Sequence, residues 1–302
     1  MLEWRQKRSL AKGVLTMNSR QELQGLIDIL AQVISVVTVS SVADPTERER
    51  KTDAHNLANR FTQYAMTVLH LSDDRNSVNL PSFGDIRVLD SASIDILARA
   101  AMEAFLVFHH IYHYPSTGDE GEFRYWTYKV IGLAERQGLP EGTFEHQKQK
   151  DEEKKRIEGI IGSLEANPIF KNLTQRQKEG IATGHKRDLW RWNSNTNRKL
   201  YWSEIAVDAG LSKMMAQHMY SHLSGHAHSG SLSVLQTQQA VVRKEVEKLI
   251  TPSLYTMKIL TANMINEYTA VFKDAHDKLS TTGTVKFVET WVEVGRRLDE
   301  DS

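Results

Sequence analysis

From residue 91 to 112 the chain reads SASIDILARAAMEAFLVFHHIY, and this stretch limits the possible folds more than any other. Wound as a helix, Ile94, Ile96, Leu97, Ala100, Ala101, Ala104, Phe105, Val107, Phe108 and Ile111 cover nearly its whole circumference. A helix that is apolar all round belongs in the middle of a larger helical assembly, because no face of it favours water. The remainder of the sequence agrees. Only six prolines occur in 302 residues, strand-like runs are scarce, and most segments carry the helical period. The expectation is an all-α protein, a multi-helix bundle with long central buried helices.

The elements follow from caps and stripes. Ser19 can cap a helix whose stripe is Leu23, Leu26, Ile27, Leu30, Val33 and Ile34. Its β-branched continuation, VISVVTVSS, is read as helix, with a strand as the alternative. Asp44-Pro45-Thr46 opens a second helix reaching about residue 71. The segment SDDRNSVNLPSFGD reads as a loop, and the central helix as starting near 85. Further helices are expected over 120–137, over 145–165 (strongly charged, with Ile157, Ile160, Ile161 and Leu164 as its stripe), over 231–250 and over 252–279. The last of these has Thr251 as cap and Pro252 at its first position. Short helices lie between, NSNTNRK is a loop, and a final helix carries Val288, Trp291, Val292 and Gly295. The organisation is an N-terminal arm, 1–18, and a single helical domain, 19–302, with a charged insertion or subdomain at about 140–200.

Formal charge is zero, so no global field recruits a polyanion, and nucleic acid needs a local patch. There is no cysteine, which removes disulfides, thiolate catalysis and cysteine metal sites and suits a reducing cytoplasm. No apolar run reads as long enough to span a bilayer. The protein is expected to be cytoplasmic with no membrane partner.

Chemistry is densest at 218–230, HMYSHLSGHAHSG. As a helix this run puts His218, His222 and His226 on one stripe. Histidines so spaced can chelate a metal, but neither Glu-x-x-His nor His-Glu-x-x-His occurs in the chain, so no metal and no cofactor is expected. A metal-free site using a histidine with Tyr220 and Ser224 remains, as does a run of satisfied histidines. Arg99 and Glu103, with Asp95 and His110 along the same side of the central helix, are the second signal. Charges in so apolar a helix either clamp neighbouring helices or serve a polar pocket, Glu103 as base and Arg99 as anion holder. Arg124, on the following helix, can turn to the same pocket.

Three weaker patterns stand beside these. WSEIAVDAGLSKMMAQHMY mimics a DNA-binding helix-turn-helix, although its second helix carries a single cation, Lys213, and otherwise suits packing. GHKRDLWRWNSNTNRKLYW interleaves Lys186, Arg187, Arg191, Arg198 and Lys199 with Trp190, Trp192, Tyr201 and Trp202. Single-stranded nucleic acid needs such a mixture, and an aromatic core would have it too. Arg50 and His55 have an Arg-x4-His spacing, which suits phosphate binding with proton transfer or a solvated helix face.

Taken in order, the Arg99-x3-Glu103 helix, the Arg124-bearing EFRYWTYK helix and the Tyr220-x2-Leu223-Ser224-x3-His228 segment resemble a family of uncharacterised bacterial all-α proteins, over roughly 90–235. The arrangement is similar to HEPN-like helical proteins, many of them ribonucleases or defence components. The resemblance implies a conjoined site of Arg99, Glu103, Tyr220, Ser224 and His228, with Arg124, Arg187, Trp190 and Arg191 as anion or nucleic-acid contacts. The activity implied is metal-independent cleavage of RNA or another phosphodiester in stress or phage defence. The alternative is a non-enzymatic interaction or anion-binding module, forming homo-oligomers or binding partner proteins through helical interfaces, in which the same residues are structural.

Overall fold

A computed structural model of the chain describes residues 19–73, 77–82, 84–87, 90–115, 117–140, 144–193, 196, 198–227, 234–235, 238–239 and 247–297. The expected arm at 1–18, the acidic tail and most of the helix expected over 231–250 lie outside them. Among the described residues the fold is all-α, interrupted by two short hairpins. The chain forms two compact units, one from Met1–Leu106 with Ala206–Ser302, the other from Val107–Ile205.

In the first unit, α1 (Ser19–Ser35) packs against α2 (Pro45–Leu71) and the long α10 (Glu247–Val271). Leu23, Leu26, Leu30 and Val33 of α1, Phe61 and Ala65 of α2, and Met257, Leu260, Met264 and Ile265 of α10 are fully buried. The stripe read from the sequence is therefore the core face. Asp44 starts α2 by accepting from the Thr46 amide at 2.8 Å, with Pro45 in the first turn. By length and composition the 23-residue stretch Ser19–Ser41 is apolar enough to cross a membrane, contrary to the sequence reading. In this fold its apolar face is covered by α10, and it carries the buried carboxylate of Glu22.

Several boundaries differ from expectation. The β-branched run leaves the helix at Ser35 and ends in a 3₁₀ turn, Val39–Ser41. There the Ser35 and Ser41 hydroxyls bond back to the carbonyls of Gln32 and Thr38, competing with helical hydrogen bonds. The expected loop before the central helix contains an antiparallel hairpin, β1 (Ser77–Leu80) and β2 (Gly84–Arg87). Gly84, at φ 73°, takes the left-handed conformation that closes its three-residue turn. The central helix, α3 (Ser91–Phe108), consequently starts later than residue 85. Asp90 sets its start by accepting from the Ser93 amide at 3.0 Å.

Pro252 lies inside α10 rather than at its start. It is exposed, as is Lys248 four residues before, so water can satisfy the carbonyl that loses its N–H partner. The same helix stops at Val271 instead of running to 279. Phe272 turns extended (φ −118°, ψ 111°) to cap α11 (Lys273–Thr281), and its ring packs 4.5 Å from that of Tyr268.

α12 (Val285–Arg297) closes the first unit, burying Val288, Trp291, Val292 and Gly295. The helix-turn-helix pattern folds as one: α8 (Trp202–Asp208), a turn with Gly210 at φ 81°, and α9 (Lys213–Ala227). Ser212 accepts from the Met215 amide and donates its own amide to the Gly295 carbonyl at 2.9 Å. Met215, Ala216, Met219 and Leu223 are buried, while Lys213, Gln217 and Ser221 are exposed.

The second unit begins at Val107, in the last turn of α3, and passes through the π-helical turn His109–His113. It continues through α4 (Gly118–Gln137), α5 (Phe144–Leu164), α6 (Pro168–Lys171) and α7 (Gln175–Ala182). A 3₁₀ turn, Leu189–Arg191, and a two-residue hairpin, β3 (Trp192–Asn193) with β4 (Arg198–Lys199), lead into α8. The unit has its own core, Phe123, Val130, Leu133, Ile157, Ile160, Leu164, Phe170, Leu173, Ile181 and Leu189. Among the described side chains, those that charged α5 supplies to it (Ile157, Ile160 and Leu164) come from its later half, where its stripe lies.

Candidate functional site

The i, i+4 geometry of α3 sets Arg99 and Glu103 side by side, and Arg99 Nε donates to Glu103 Oε1 at 3.1 Å. Arg99 Nη2 donates to the Tyr220 hydroxyl of α9 at 3.4 Å, and the guanidinium carbon stands 5.3 Å from the Tyr220 ring centre. Residues 121 positions apart thus form one cluster within the first unit. It is half-open and not buried as expected: the Arg99 and Glu103 side chains are 21% and 36% exposed. The pair lies on the one flank of α3 that is not fully packed, and an ion pair there keeps part of its hydration, which lowers its desolvation cost. Ser224 is on the next turn of α9, but its side chain and all of His228 lie outside the described residues.

Asp95 and His110 do not extend this cluster. Asp95 is fully buried and accepts a hydrogen bond from Ser253 Oγ of α10. His110 belongs to the second unit, where its ring meets the edge of Trp190 at 5.8 Å. Burial, then the Arg124 charge, pushes its pKa down to about 2, so the ring is neutral. Arg124 is buried and engaged locally: Nη1 donates to the carbonyls of His110 (2.9 Å) and Tyr114 (3.2 Å), and Nη2 to Glu120 at 2.6 Å. These bonds tie the π-helical turn to α4, and the expected turn of Arg124 towards an anion pocket is not what this geometry provides.

The basic-aromatic patch separates into core and rim. Trp190 is buried, with the rings of His110, Tyr128 and Trp202 against it at 5.5–5.8 Å. Arg191 is nearly buried and stacks over Trp202, its guanidinium carbon 4.7 Å from the ring centre. Arg187 is exposed and paired with Glu135 at 3.1 Å. Arg198 pairs with Glu204 and holds that carboxyl down near 2. Asp188, which the sequence reading passed over, accepts from both Arg191 and Lys199. Burial raises its pKa, but the Lys199 hydrogen bond and the two positive charges outweigh that and leave it lowered.

His55 Nδ1 and the buried Tyr268 hydroxyl share a hydrogen bond of 2.8 Å. Burial lowers the pKa of the histidine and raises that of the tyrosine. The ring of His55 therefore seats α2 on α10, a packing role that the Arg50–His55 spacing did not reveal. A buried ion pair, Lys258 with Glu22 at 2.8 Å, also escaped the sequence reading. Its signal was a lysine within the apolar run TMKILTANMI. No group of three or more potential metal ligands converges among the described residues. A groove of about 1030 Å³ along α12, lined by residues such as Tyr255, Asn266, Lys286 and Glu293, contains none of Arg99, Glu103 and Tyr220.

Compared with known proteins, the chain matches no family model, no curated protein and no solved structure.

Proposed function

We propose that the protein is a cytoplasmic, metal-independent phosphodiesterase acting on RNA, with Arg99, Glu103 and Tyr220 at its site. The observation that carries this reading is the Arg99 guanidinium, held by a carboxylate on one side and a phenol on the other while still partly open to solvent. A guanidinium fixed in this way offers charge and directed donors to a phosphate with little further loss of side-chain freedom. In the chemistry proposed, the 2′-oxygen attacks phosphorus and a base takes its proton. The 5′-oxygen leaves with a proton from an acid. Arg99 stabilises the charge on the phosphoryl oxygens, and the Tyr220 hydroxyl orients the guanidinium. Glu103 and the histidines of 218–228 supply the proton transfers. The cytoplasmic placement rests on the cysteine-free sequence, and a defence or stress role is part of the same proposal, as HEPN-like proteins would suggest.

The test is cleavage of end-labelled single-stranded RNA in excess chelator. Arg99→Ala and Glu103→Gln are each expected to slow it by about 10²–10⁴-fold, the usual range for lost acid–base or oxyanion assistance. A wild-type protein that leaves RNA intact overturns the reading.

A second reading is favoured by the same contacts. The Arg99–Tyr220 contact, with Glu103 bracing the guanidinium from the same helix, also joins α3 to α9, which suits a non-enzymatic interaction module. Arg99→Met/Glu103→Leu separates the two: full activity in a well-folded double variant makes the pair structural.

A further inference from the structure

A cavity of about 410 Å³ in the second unit is walled by His185, Arg187, Asp188, Trp190, Arg191 and Trp202. Its volume falls in the range of small-ligand sites, and its walls have an unusual charge balance. Arg191 is 9% exposed, so its guanidinium has given up most of its hydration. In return Nη2 reaches Asp188 at 3.2 Å, a carboxylate it shares with Lys199. Nε is buried with no hydrogen-bond acceptor. The Trp202 face at 4.7 Å and the Trp190 ring at 5.8 Å complete its surroundings. Aromatic faces compensate only part of a desolvated charge. Arg187 adds a second cation whose one partner, the exposed Glu135, holds it weakly. A buried arginine compensated by half a carboxylate is expensive unless another anion completes it. The same cavity offers the partly exposed indole of Trp202, and behind the Trp190 floor lies the neutral ring of His110, 1% exposed.

We infer that this cavity binds a nucleoside monophosphate unit, its phosphate on Arg191 and Arg187 and its base against Trp202. Stacking plus a phosphate clamp is the combination by which proteins hold single nucleotides without reading sequence. The unit comes either free or as one residue of single-stranded RNA, and the chemistry of recognition is the same for both. The inference does not rest on the cleavage reading, because the cavity and its walls belong to the second unit alone.

Isothermal titration calorimetry of the full chain tests it, with AMP, adenosine, inorganic phosphate and a short oligoadenylate as titrants. AMP is expected to bind at least about tenfold more tightly than either adenosine or phosphate alone. Arg191→Gln and Arg187→Gln should each weaken AMP by about 10–100-fold, as expected for a lost charge-assisted hydrogen bond. Trp202→Phe should retain binding and Trp202→Ala lose it. Arg187 is 77% exposed, so its variant reads binding even where Arg191→Gln fails to fold. A single-site fit for oligoadenylate tighter than AMP identifies RNA as the source, and a weaker one identifies the free nucleotide. Equal binding of adenosine and AMP, phosphate binding as well as AMP, or unchanged affinity in Arg187→Gln overturns the inference. Loss of RNA cleavage with intact AMP binding would remove the proposed activity and leave this site standing.

Discussion

Glu22→Gln should be among the most damaging single substitutions in the first unit, and the size of the effect follows from Lys258. The ammonium of Lys258 is 3% exposed and sits 2.8 Å from the Glu22 carboxylate, whose own exposure is 7%. Its remaining neighbours are the Ser19 hydroxyl at 3.3 Å and the faces of Trp291 and Tyr255, 4.1 and 5.6 Å from their ring centres. A neutral amide at position 22 leaves a desolvated cation with two neutral oxygen acceptors and two ring faces, and no counter-charge. Breaking a buried pair in this way costs about 3–5 kcal/mol. The cation–π contacts return roughly 1–2 kcal/mol of that, so the expected loss is about 1–4 kcal/mol. Replacing both partners, as Glu22→Leu/Lys258→Met, removes the charge as well as its penalty and should be neutral or stabilising by about 1–4 kcal/mol. Guanidinium unfolding followed by far-UV circular dichroism measures both. A single variant costing under about 1 kcal/mol, or a double variant no better than the single, would show that the Lys258 charge is hydrated and that the argument fails.

Other expectations concern the remaining elements. Gly295→Ala should lower the stability of the first unit by about 1–2 kcal/mol in the same assay. Its new Cβ would meet Ile259 Cγ2 at 2.8 Å and Leu211 Cδ2 at 3.3 Å, and overpacking of a stiff β-branched neighbour exceeds the ~1 kcal/mol gained in helix propensity. Stability of the second unit should fall as pH drops below about 6.5, because the unfolded chain takes up a proton there that folded His110, with its pKa near 2, refuses. The slope attributable to this group is about 1.4 kcal/mol per pH unit at most, and urea midpoints for His110→Phe should show a flatter profile; an unchanged profile refutes the assignment. Arg124→Met should destabilise the second unit by about 3–5 kcal/mol, since it removes the cation paired with buried Glu120 and the donor to the carbonyls of His110 and Tyr114. Recovery in Arg124→Met/Glu120→Leu would locate the cost in the charge.

How far the fold was legible depends on whether local or distant chemistry set each feature. The stripe of α1, the Asp44–Pro45 start of α2 and the half-packed α5 were readable, because burial period and caps act within a few residues. The errors sit where two local signals compete. Asp90 caps α3 five residues beyond the start near 85 that the sequence predicts. Thr251-Pro252 looked like a helix start, yet α10 runs through it because the residues on both sides pack the same face. Phe272 breaks the following helix for the sake of its own burial against Tyr268, which only the tertiary fold reveals.

Charged residues in apolar sequence flagged the candidate site but could not reveal its character. Arg99, Asp95 and Lys258 all stand out in apolar runs, and the structure gives them different fates. Asp95 is sealed against Ser253, Lys258 is sealed against Glu22, and Arg99 remains half-open beside Glu103 and Tyr220. Sequence spacing predicts the Arg99–Glu103 neighbourhood because four residues make one helical turn. It cannot predict Tyr220, whose approach depends on how α9 packs. The same limit applies to the basic-aromatic run, where alternation of cations and rings suits a single-stranded nucleic-acid surface and an aromatic core alike. Packing buries Trp190, brings Arg191 over Trp202, and leaves a cavity with more positive charge than its carboxylate can match. Exposure is thus the property that separates a site from a strut in this protein. It is decided by which helix covers a residue, and the chain encodes that only through the whole core.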